Sequence, residues 1–251
     1  MSGHSHWATI RRKKGAADAK RGQVFTRLAR EIVIAAREGG GDPGTNYRLQ
    51  YAIEQARAQN MPKENIERAI KRAIGEGKDG VVFEEITYEG IAPHGVAVLI
   101  SCVTDNRNRS LSEIRHALSK AGGSLAAAGS VAWQFTRKAI FTIPAAGNDA
   151  DKLFEIGVEA GADDVDVSEE SIEIVGPVES FKSILDALHA ANIKPEEAEL
   201  QYLPNNPQEL NVEDTLQVMR LIETLEDLDD VQNVYSTMSI TEAVMARLEE
   251  E

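Results

Sequence analysis

Residues 137–204 read RKAIFTIPAAGNDADKLFEIGVEAGADDVDVSEESIEIVGPVESFKSILDALHAANIKPEEAELQYLP, and this stretch decides the fold. Four short runs, KAIFTIP, DDVDV, SIEIV and AELQYL, have the length and the apolar pattern of strands. Two longer runs between them, DADKLFEIGVEAG and VESFKSILDALHAAN, repeat apolar residues with the period of amphipathic helices. The resulting order, βαββαβ, predicts a ferredoxin-like module, in which two helices cover one face of an antiparallel sheet.

The segments on either side of this module predict a second α+β domain. Before it lie the β-rich runs VVFEEITYEGI and GVAVLISCVTD, which are joined by the turn APHG (92–95), and a run SVAWQFT that we predict to be a further strand. The run SLSE (110–113) has the spacing of a capping box, so a helix is predicted to begin there. After the module, an amphipathic run at 212–228 and the strand-like run VQNVYSTM have no sheet of their own. The economical solution is that they complete the sheet begun before the module, which makes the module an insertion.

The first 80 residues predict a small helical domain. From about residue 16 to 38 an apolar stripe faces one side, while Lys20, Arg27, Arg30 and Arg37 gather on nearly the opposite side. The run GGGDP ends this helix because glycine supplies the left-handed cap and proline cannot continue the turn. Two further helices are predicted to follow, the second of them with Pro62 in its first turn.

These patterns together predict a multidomain α and α+β protein. An N-terminal three-helix domain is followed by two α+β domains, one of them ferredoxin-like and inserted in the other. The predicted domains are 1–80 for the basic helical domain with its N-terminal arm, 81–136 plus 205–251 for the first α+β domain, and 137–204 for the inserted domain.

Charge divides the chain at the same place as the fold prediction. The formal net charge is −14, yet residues 1–80 hold 16 Lys and Arg against 9 Asp and Glu, a net +7, which leaves −21 for residues 81–251. Phosphate binding depends on local positive charge, because fields are screened beyond about 8 Å at physiological salt. The basic end therefore indicates a nucleic-acid partner. The alternative is a solvated basic surface with no partner.

Composition and motifs argue against several other classes of protein. No apolar run approaches the roughly 20 residues that span a bilayer, and the opening residues lack the apolar core of a signal peptide, so we expect a cytoplasmic protein with no membrane partner. Cys102 is the single cysteine, which excludes an intramolecular disulfide and a CxxC metal site. Phosphate-binding P-loops, nucleophile elbows and zinc-binding HExxH helices do not occur in the sequence. We therefore expect no enzyme, no cofactor and no metal.

The N-terminal arm carries the strongest constellation of functional residues. An aromatic ring stacks on bases and clustered cations meet phosphates, so this arm suits single-stranded or folded RNA, and it suits a DNA groove as well. The residues that we predict to bind nucleic acid are His4, His6, Trp7, Arg11, Arg12, Lys13, Lys14, Lys20, Arg21, Arg27, Arg30 and Arg37. For Trp7 the alternative is that the indole packs on the helical domain as an anchor.

A second possible anion site lies in the run TDNRNR (104–109), at the end of a predicted strand. Arg107 and Arg109 stand there beside the free N–H groups of a predicted helix start, a combination that attracts anions. The alternative is structural, since both arginines can pair with carboxylates in this acidic half of the chain.

Several stretches of the sequence resemble the YebC/PmpR family, which also includes a mitochondrial translational activator of cytochrome c oxidase. The matching stretches are GHSHWATIRRKKGAADAKRG, FTRLAREI, AAREGGGDP, NMPKENIERAIKRA, YEGIAPHGVAVLI, TDNRNR and GSVAWQF. The resemblance covers the whole chain and implies a helical domain with two α+β domains, one inserted in the other. It also implies DNA-binding regulation of transcription or, for some members, a ribosome-associated role that relieves stalling. No catalytic residue carries over, and His6 stands where we expect the family more often to have lysine.

The first hypothesis is thus a regulator of gene expression that binds nucleic acid, DNA in the first instance, through its N-terminal domain. The second is a translation factor that docks on ribosomal RNA, and the third is a protein-interaction scaffold without a nucleic-acid ligand. The sequence does not separate DNA from RNA, because the arm suits either polyanion. It gives no oligomeric state.

Overall fold

The computed structural model describes residues 19–75, 83–168 and 170–249. The helices are α1 (Ala19–Gly39), α2 (Tyr47–Ala58), α3 (Lys63–Ala73), α4 (Arg107–Lys120), α5 (Ala150–Glu159), α6 (Phe181–Ala190), α7 (Val212–Glu226) and α8 (Glu242–Glu249). The strands are β1 (Glu84–Ile91), β2 (Ala97–Thr104), β3 (Ser124–Leu125), β4 (Phe135–Pro144), β5 (Asp164–Val167), β6 (Ser171–Pro177), β7 (Glu197–Pro204), β8 (Gln208–Glu209), β9 (Val231–Ser236) and β10 (Met238–Ser239). None of these helices is long and apolar enough to cross a bilayer.

The chain divides into two compact units. The described residues up to Ser130, together with Leu216–Val234, form the unit that we call the helix–sheet unit. Val131–Thr215 and the described residues from Tyr235 onward form the ferredoxin-like unit. The predicted fold class, a helical domain followed by two α+β domains, is confirmed by the elements and their order.

Helices α1, α2 and α3 pack around a common apolar core in which Ile32 and Leu49 are completely buried. Asn46 sets the corner between α1 and α2. Its side chain accepts a hydrogen bond from the Leu49 N–H at 3.1 Å and donates to the carbonyls of Ala35 at 2.7 Å and Gly40 at 2.8 Å. One buried amide thus caps α2 and also bonds to carbonyls of the last turn of α1 and of the residue after it, which fixes the corner between the two helices.

The sheet of the helix–sheet unit has the order β3-β1-β2-β9. Strands β1 and β2 form an antiparallel hairpin in which Ile86 lies opposite Cys102. The late strand β9 joins the free side of β2, so the chain returns to the first sheet after completing the second. The observed strand β9 is shorter than the predicted run VQNVYSTM, because it ends at Ser236 and the chain then forms β10 beside β8.

Two local predictions in this region are wrong. Helix α4 begins at Arg107, where Asn106 is the N-cap and accepts the Arg109 N–H at 3.1 Å, and it does not begin at the SLSE run. Three residues of the run SVAWQFT, Ala132–Gln134, form a 3-10 turn, and only its last two residues belong to β4. Since β4 begins at Phe135, it crosses the predicted boundary between residues 136 and 137.

The ferredoxin-like unit is built on an antiparallel sheet of order β5-β6-β4-β7. Both helices lie on one face of this sheet. A Cβ added to Gly157 of α5 would lie 3.4 Å from Ile174, and one added to Gly176 of β6 would lie 2.8 Å from Ile184 of α6. Ile174 and Gly176 are two residues apart on β6 and therefore point to the same side.

Candidate nucleic-acid interface

Most of the arm residues that the sequence singles out lie outside the described part of the chain. They are His4, His6, Trp7, Arg11, Arg12, Lys13 and Lys14. Lys20 and Arg21 belong to α1, but their side chains are also outside the described set. The binding role of all nine residues stays a prediction from sequence.

A groove of about 700 Å³ runs between α1 and α3 in the helix–sheet unit. Its apolar lining includes the rings of Phe25 and Phe83, and its charged lining holds four cations and two carboxylates. The charged residues are Arg30, Arg68, Lys71, Arg72, Glu64 and Glu67. The groove is therefore apolar inside and net positive at its rim.

Helix α3 supplies three of the four cations. Arg68 and Lys71 are exposed, and Arg72 is half-buried with its guanidinium carbon 4.9 Å from the centre of the Phe83 ring. The buried Nε of Arg72 hydrogen-bonds no group of the described chain. Sequence reasoning missed these three cations, although positions 68, 71 and 72 are three and four apart and therefore lie on one helix face.

The arginines predicted on α1 are largely engaged by the protein itself. A guanidinium nitrogen of Arg30 lies 3.1 Å from a carboxylate oxygen of Asp230, another donates to the carbonyl of Asp229, and the Arg30 side chain is only 12% exposed. Arg37 donates to the carbonyl of Phe83 at 2.8 Å. Both contacts join the helical bundle to the sheet. Arg27 is half-buried on the same helix.

Asp230, which is 1% exposed, is the centre of a polar cluster at the end of β2. Its carboxylate accepts hydrogen bonds from Thr104 at 2.9 Å, from Ser110 at 2.7 Å and from Arg109 at 2.7 Å, in addition to the ion pair with Arg30. Burial alone would raise the pKa of Asp230, but these hydrogen bonds outweigh it and hold the pKa below its ordinary value. One carboxylate therefore ties together α1, β2, α4 and the segment that enters β9.

Both arginines of the possible second anion site, Arg107 and Arg109, form ion pairs with carboxylates of the protein. Arg107 donates two hydrogen bonds of 2.5 Å to the Glu84 carboxylate, and Arg109 pairs with Asp105 at 2.9 Å as well as with Asp230. Hydrogen bonding to Arg107 lowers the pKa of Glu84. Both arginines thus have carboxylate partners within the protein, so we leave them out of the proposed interface, and their binding of anions stays a prediction from the sequence.

The described residues show neither a metal-binding cluster nor a reactive thiol. They contain no group of three or more His, Cys, Asp or Glu side chains placed to hold a metal ion. The thiol of Cys102 is buried, and burial with the nearby Asp230 charge raises its pKa to about 12, so it is not a thiolate at neutral pH.

Comparison with known proteins gives full-length matches. A family model described as the TACO1/YebC protein N-terminal domain matches residues 5–76, and one described as the TACO1/YebC second and third domain matches residues 83–238. A protein of Geotalea uraniireducens is 48% identical and covers 99% of this chain and 100% of its own length. One of Acidithiobacillus ferrooxidans is 50% identical and covers 99% of both chains. Each is named a probable transcriptional regulatory protein.

A solved structure is also similar. The crystal structure of a conserved hypothetical protein from Aquifex aeolicus superimposes with a TM-score of 0.86 at 43% sequence identity. The match covers 94% of this chain and 98% of that one. The similarity therefore extends through the helical domain and both α+β domains.

Proposed function

Because the chain belongs to the TACO1/YebC family, whose relatives are named as regulators of transcription, we propose that it is a nucleic-acid-binding regulator of gene expression. In this proposal the N-terminal domain binds the nucleic acid, with duplex DNA as the first ligand. The α+β domains carry the net negative charge and leave the contact with phosphate to the basic end.

The observation that carries this proposal is the cationic rim of the α1–α3 groove. Arg68 and Lys71 are exposed on one face of α3, and the domain around them has a net charge of +7 over residues 1–80. Exposed lysines and arginines that follow one face bind the phosphate backbone by releasing its counterions. The remaining 171 residues, with a net charge of −21, repel a polyanion and so favour binding at this end.

One feature of the groove favours a second candidate, a factor that binds ribosomal RNA. Phe25 and Phe83 line the groove, and Arg72 is stacked on one of these rings. Aromatic and guanidinium planes of this kind receive unstacked bases, which folded RNA offers and duplex DNA does not.

Binding by a double variant tests the proposal. Arg68→Ala with Lys71→Ala should weaken binding of the full-length chain to duplex DNA, because two phosphate contacts are lost. The matched control, Arg115→Ala with Lys120→Ala on α4, removes two exposed cations outside the domain and should leave binding unchanged. Equal losses from both double variants would show that binding depends on total charge and not on the groove.

The same variants separate the two candidates when the ligand is changed. Single-stranded RNA of matched length is compared with duplex DNA at the same salt concentration. If the protein regulates transcription, it should bind the duplex at least as tightly as the RNA. Two results together would indicate a translation factor. The protein would bind RNA more tightly than duplex DNA, and it would sediment with ribosomes in a lysate but no longer do so after nuclease treatment.

A further inference from the structure

The ferredoxin-like unit exposes an apolar surface that nucleic-acid binding does not use. Phe154 and Val158 on α5 are 53% and 54% exposed, and Val167 at the end of β5 is 53% exposed. Phe154 and Val158 are four residues apart and so lie on one face of the helix. Single exposed apolar residues need no explanation, whereas a contiguous group marks an interaction site.

The three side chains form one contiguous patch. Strands β4 and β5 both pair antiparallel with β6, and α5 returns from the end of β4, so α5 runs antiparallel to β5. A Cβ added to Gly157 of α5 would lie 3.1 Å from Val165, which shows that these two residues are in contact. Val167 lies two residues further along the same face of β5, beside the turn of α5 that carries Phe154.

Negative charge surrounds this patch. Exposed carboxylates on α5 and at the start of β5 belong to Asp151, Glu155, Glu159 and Asp164, while that of Asp163 is paired with Lys138 at 2.8 Å. Residues 135–204 hold 5 Lys and Arg against 15 Asp and Glu, a net charge of −10. Lys152, the one lysine of α5, lies about 160° around the helix from Phe154, at 100° per residue. The arrangement has the apolar centre and polar rim of a protein interface.

We propose that the patch formed by Phe154, Val158 and Val167 docks a protein segment that has an apolar face flanked by lysine or arginine residues. The carboxylate rim attracts such cations and repels phosphate, so nucleic acid does not fit here. The apolar centre requires an apolar side chain from the partner, so a purely basic tail does not satisfy the surface. The protein would then bind nucleic acid through its basic domain and a basic protein through its acidic one.

Peptide titration of the full-length chain tests this proposal. The probe is a fluorescein-labelled, 18-residue amphipathic helix of leucine and lysine. Phe154→Ser with Val158→Ser should weaken its binding about 10-fold or more, because the apolar centre is lost while the charge is kept. Both side chains are more than half exposed, so the double variant should melt at the temperature of the wild type. Ile91→Ser, at an exposed apolar residue of the helix–sheet unit, is the control and should leave binding unchanged.

Two further probes define what would overturn the proposal. A peptide with serine in place of every leucine should bind the wild type about 10-fold more weakly, and a peptide with glutamate in place of every lysine should not bind. Unchanged affinity of the double variant, or binding of the glutamate peptide, overturns the proposal. A dimer in sedimentation that Phe154→Ser with Val158→Ser dissociates would assign the patch to a second copy of this chain, and would also overturn it.

Discussion

The guanidinium of Arg30 on α1 lies 3.1 Å from the carboxylate of Asp230, at the entry to β9, and the two residues are 200 positions apart in the sequence. This ion pair connects the helical bundle to the sheet of the same unit. Asp230 also accepts hydrogen bonds from Arg109, Ser110 and Thr104, so its removal affects four elements together.

Asp230→Asn should destabilise the protein strongly. The substitution leaves Arg30 and Arg109 facing a neutral amide, and loss of one partner of a buried ion pair costs about 3–5 kcal/mol. Urea unfolding of the full chain measures this change. Asp105→Asn is the control. Asp105 also pairs with Arg109, but its side chain is 35% exposed against 1% for Asp230, so its loss should cost far less. Equal losses from the two variants would show that the Asp230 cluster does not hold the unit together.

The same carboxylate should contribute to acid sensitivity. The pKa of Asp230 is lower in the folded protein than the value of about 3.9 for an unfolded aspartate, so unfolding in acid takes up a proton. Its contribution to stability is complete above that unfolded value and is lost as the pH falls through the lower folded value. The free energy of unfolding, measured from pH 7 to pH 2, should therefore fall more steeply for the wild type than for Asp230→Asn. Parallel curves would contradict the lowered pKa.

Arg107→Ala should have little effect on either stability or binding. Its ion pair with Glu84 lies at the surface, where solvent screening leaves such pairs with little net energy. The thermal midpoint and the affinity for duplex DNA should both match the wild type. A clear loss of affinity would restore Arg107 to the nucleic-acid interface and show that its pairing with Glu84 gives way to phosphate.

Cys102 should report on the opening of the β1–β2 hairpin. Its thiol is buried in β2, so a thiol reagent cannot reach it in the folded protein. Its pKa is raised to about 12, so at pH 8 it is also not the reactive thiolate. Labelling should be slow in the native protein and fast in denaturing urea. Rapid labelling without denaturant would mean that this central strand opens readily.

The sequence predicted the fold well because the deciding signals are local. The apolar periods of residues 137–204 predict the order βαββαβ without any distant contact, and the late run at 231–238 was assigned to the first sheet because it had no sheet of its own. The start of α4 was misplaced because SLSE and Asn106 are both good caps on local grounds. Ser110 is drawn inward by Asp230, 120 residues later, and no local pattern contains that contact.

The candidate site was only partly predictable for the same reason. The one-sided spacing of Arg68, Lys71 and Arg72 is visible in the sequence, so these cations could have been found. The ion pair of Arg30 could not have been predicted, because its partner Asp230 comes from the other end of the chain. In the sequence Asp230 is indistinguishable from a solvated aspartate. Net charge predicted which domain is basic, and the folded structure shows which cations face the groove.

The salt dependence of DNA binding tests the central claim, that the cationic rim of the α1–α3 groove contacts phosphate. The equilibrium constant of the full-length chain for one duplex is measured from low to high salt for the wild type and for Arg68→Ala with Lys71→Ala. Each phosphate contact contributes about −0.9 to the slope of the log–log plot, so the double variant should give a slope shallower by about 1.8. Identical slopes for the two proteins would contradict the claim and place the phosphate contacts elsewhere on the chain.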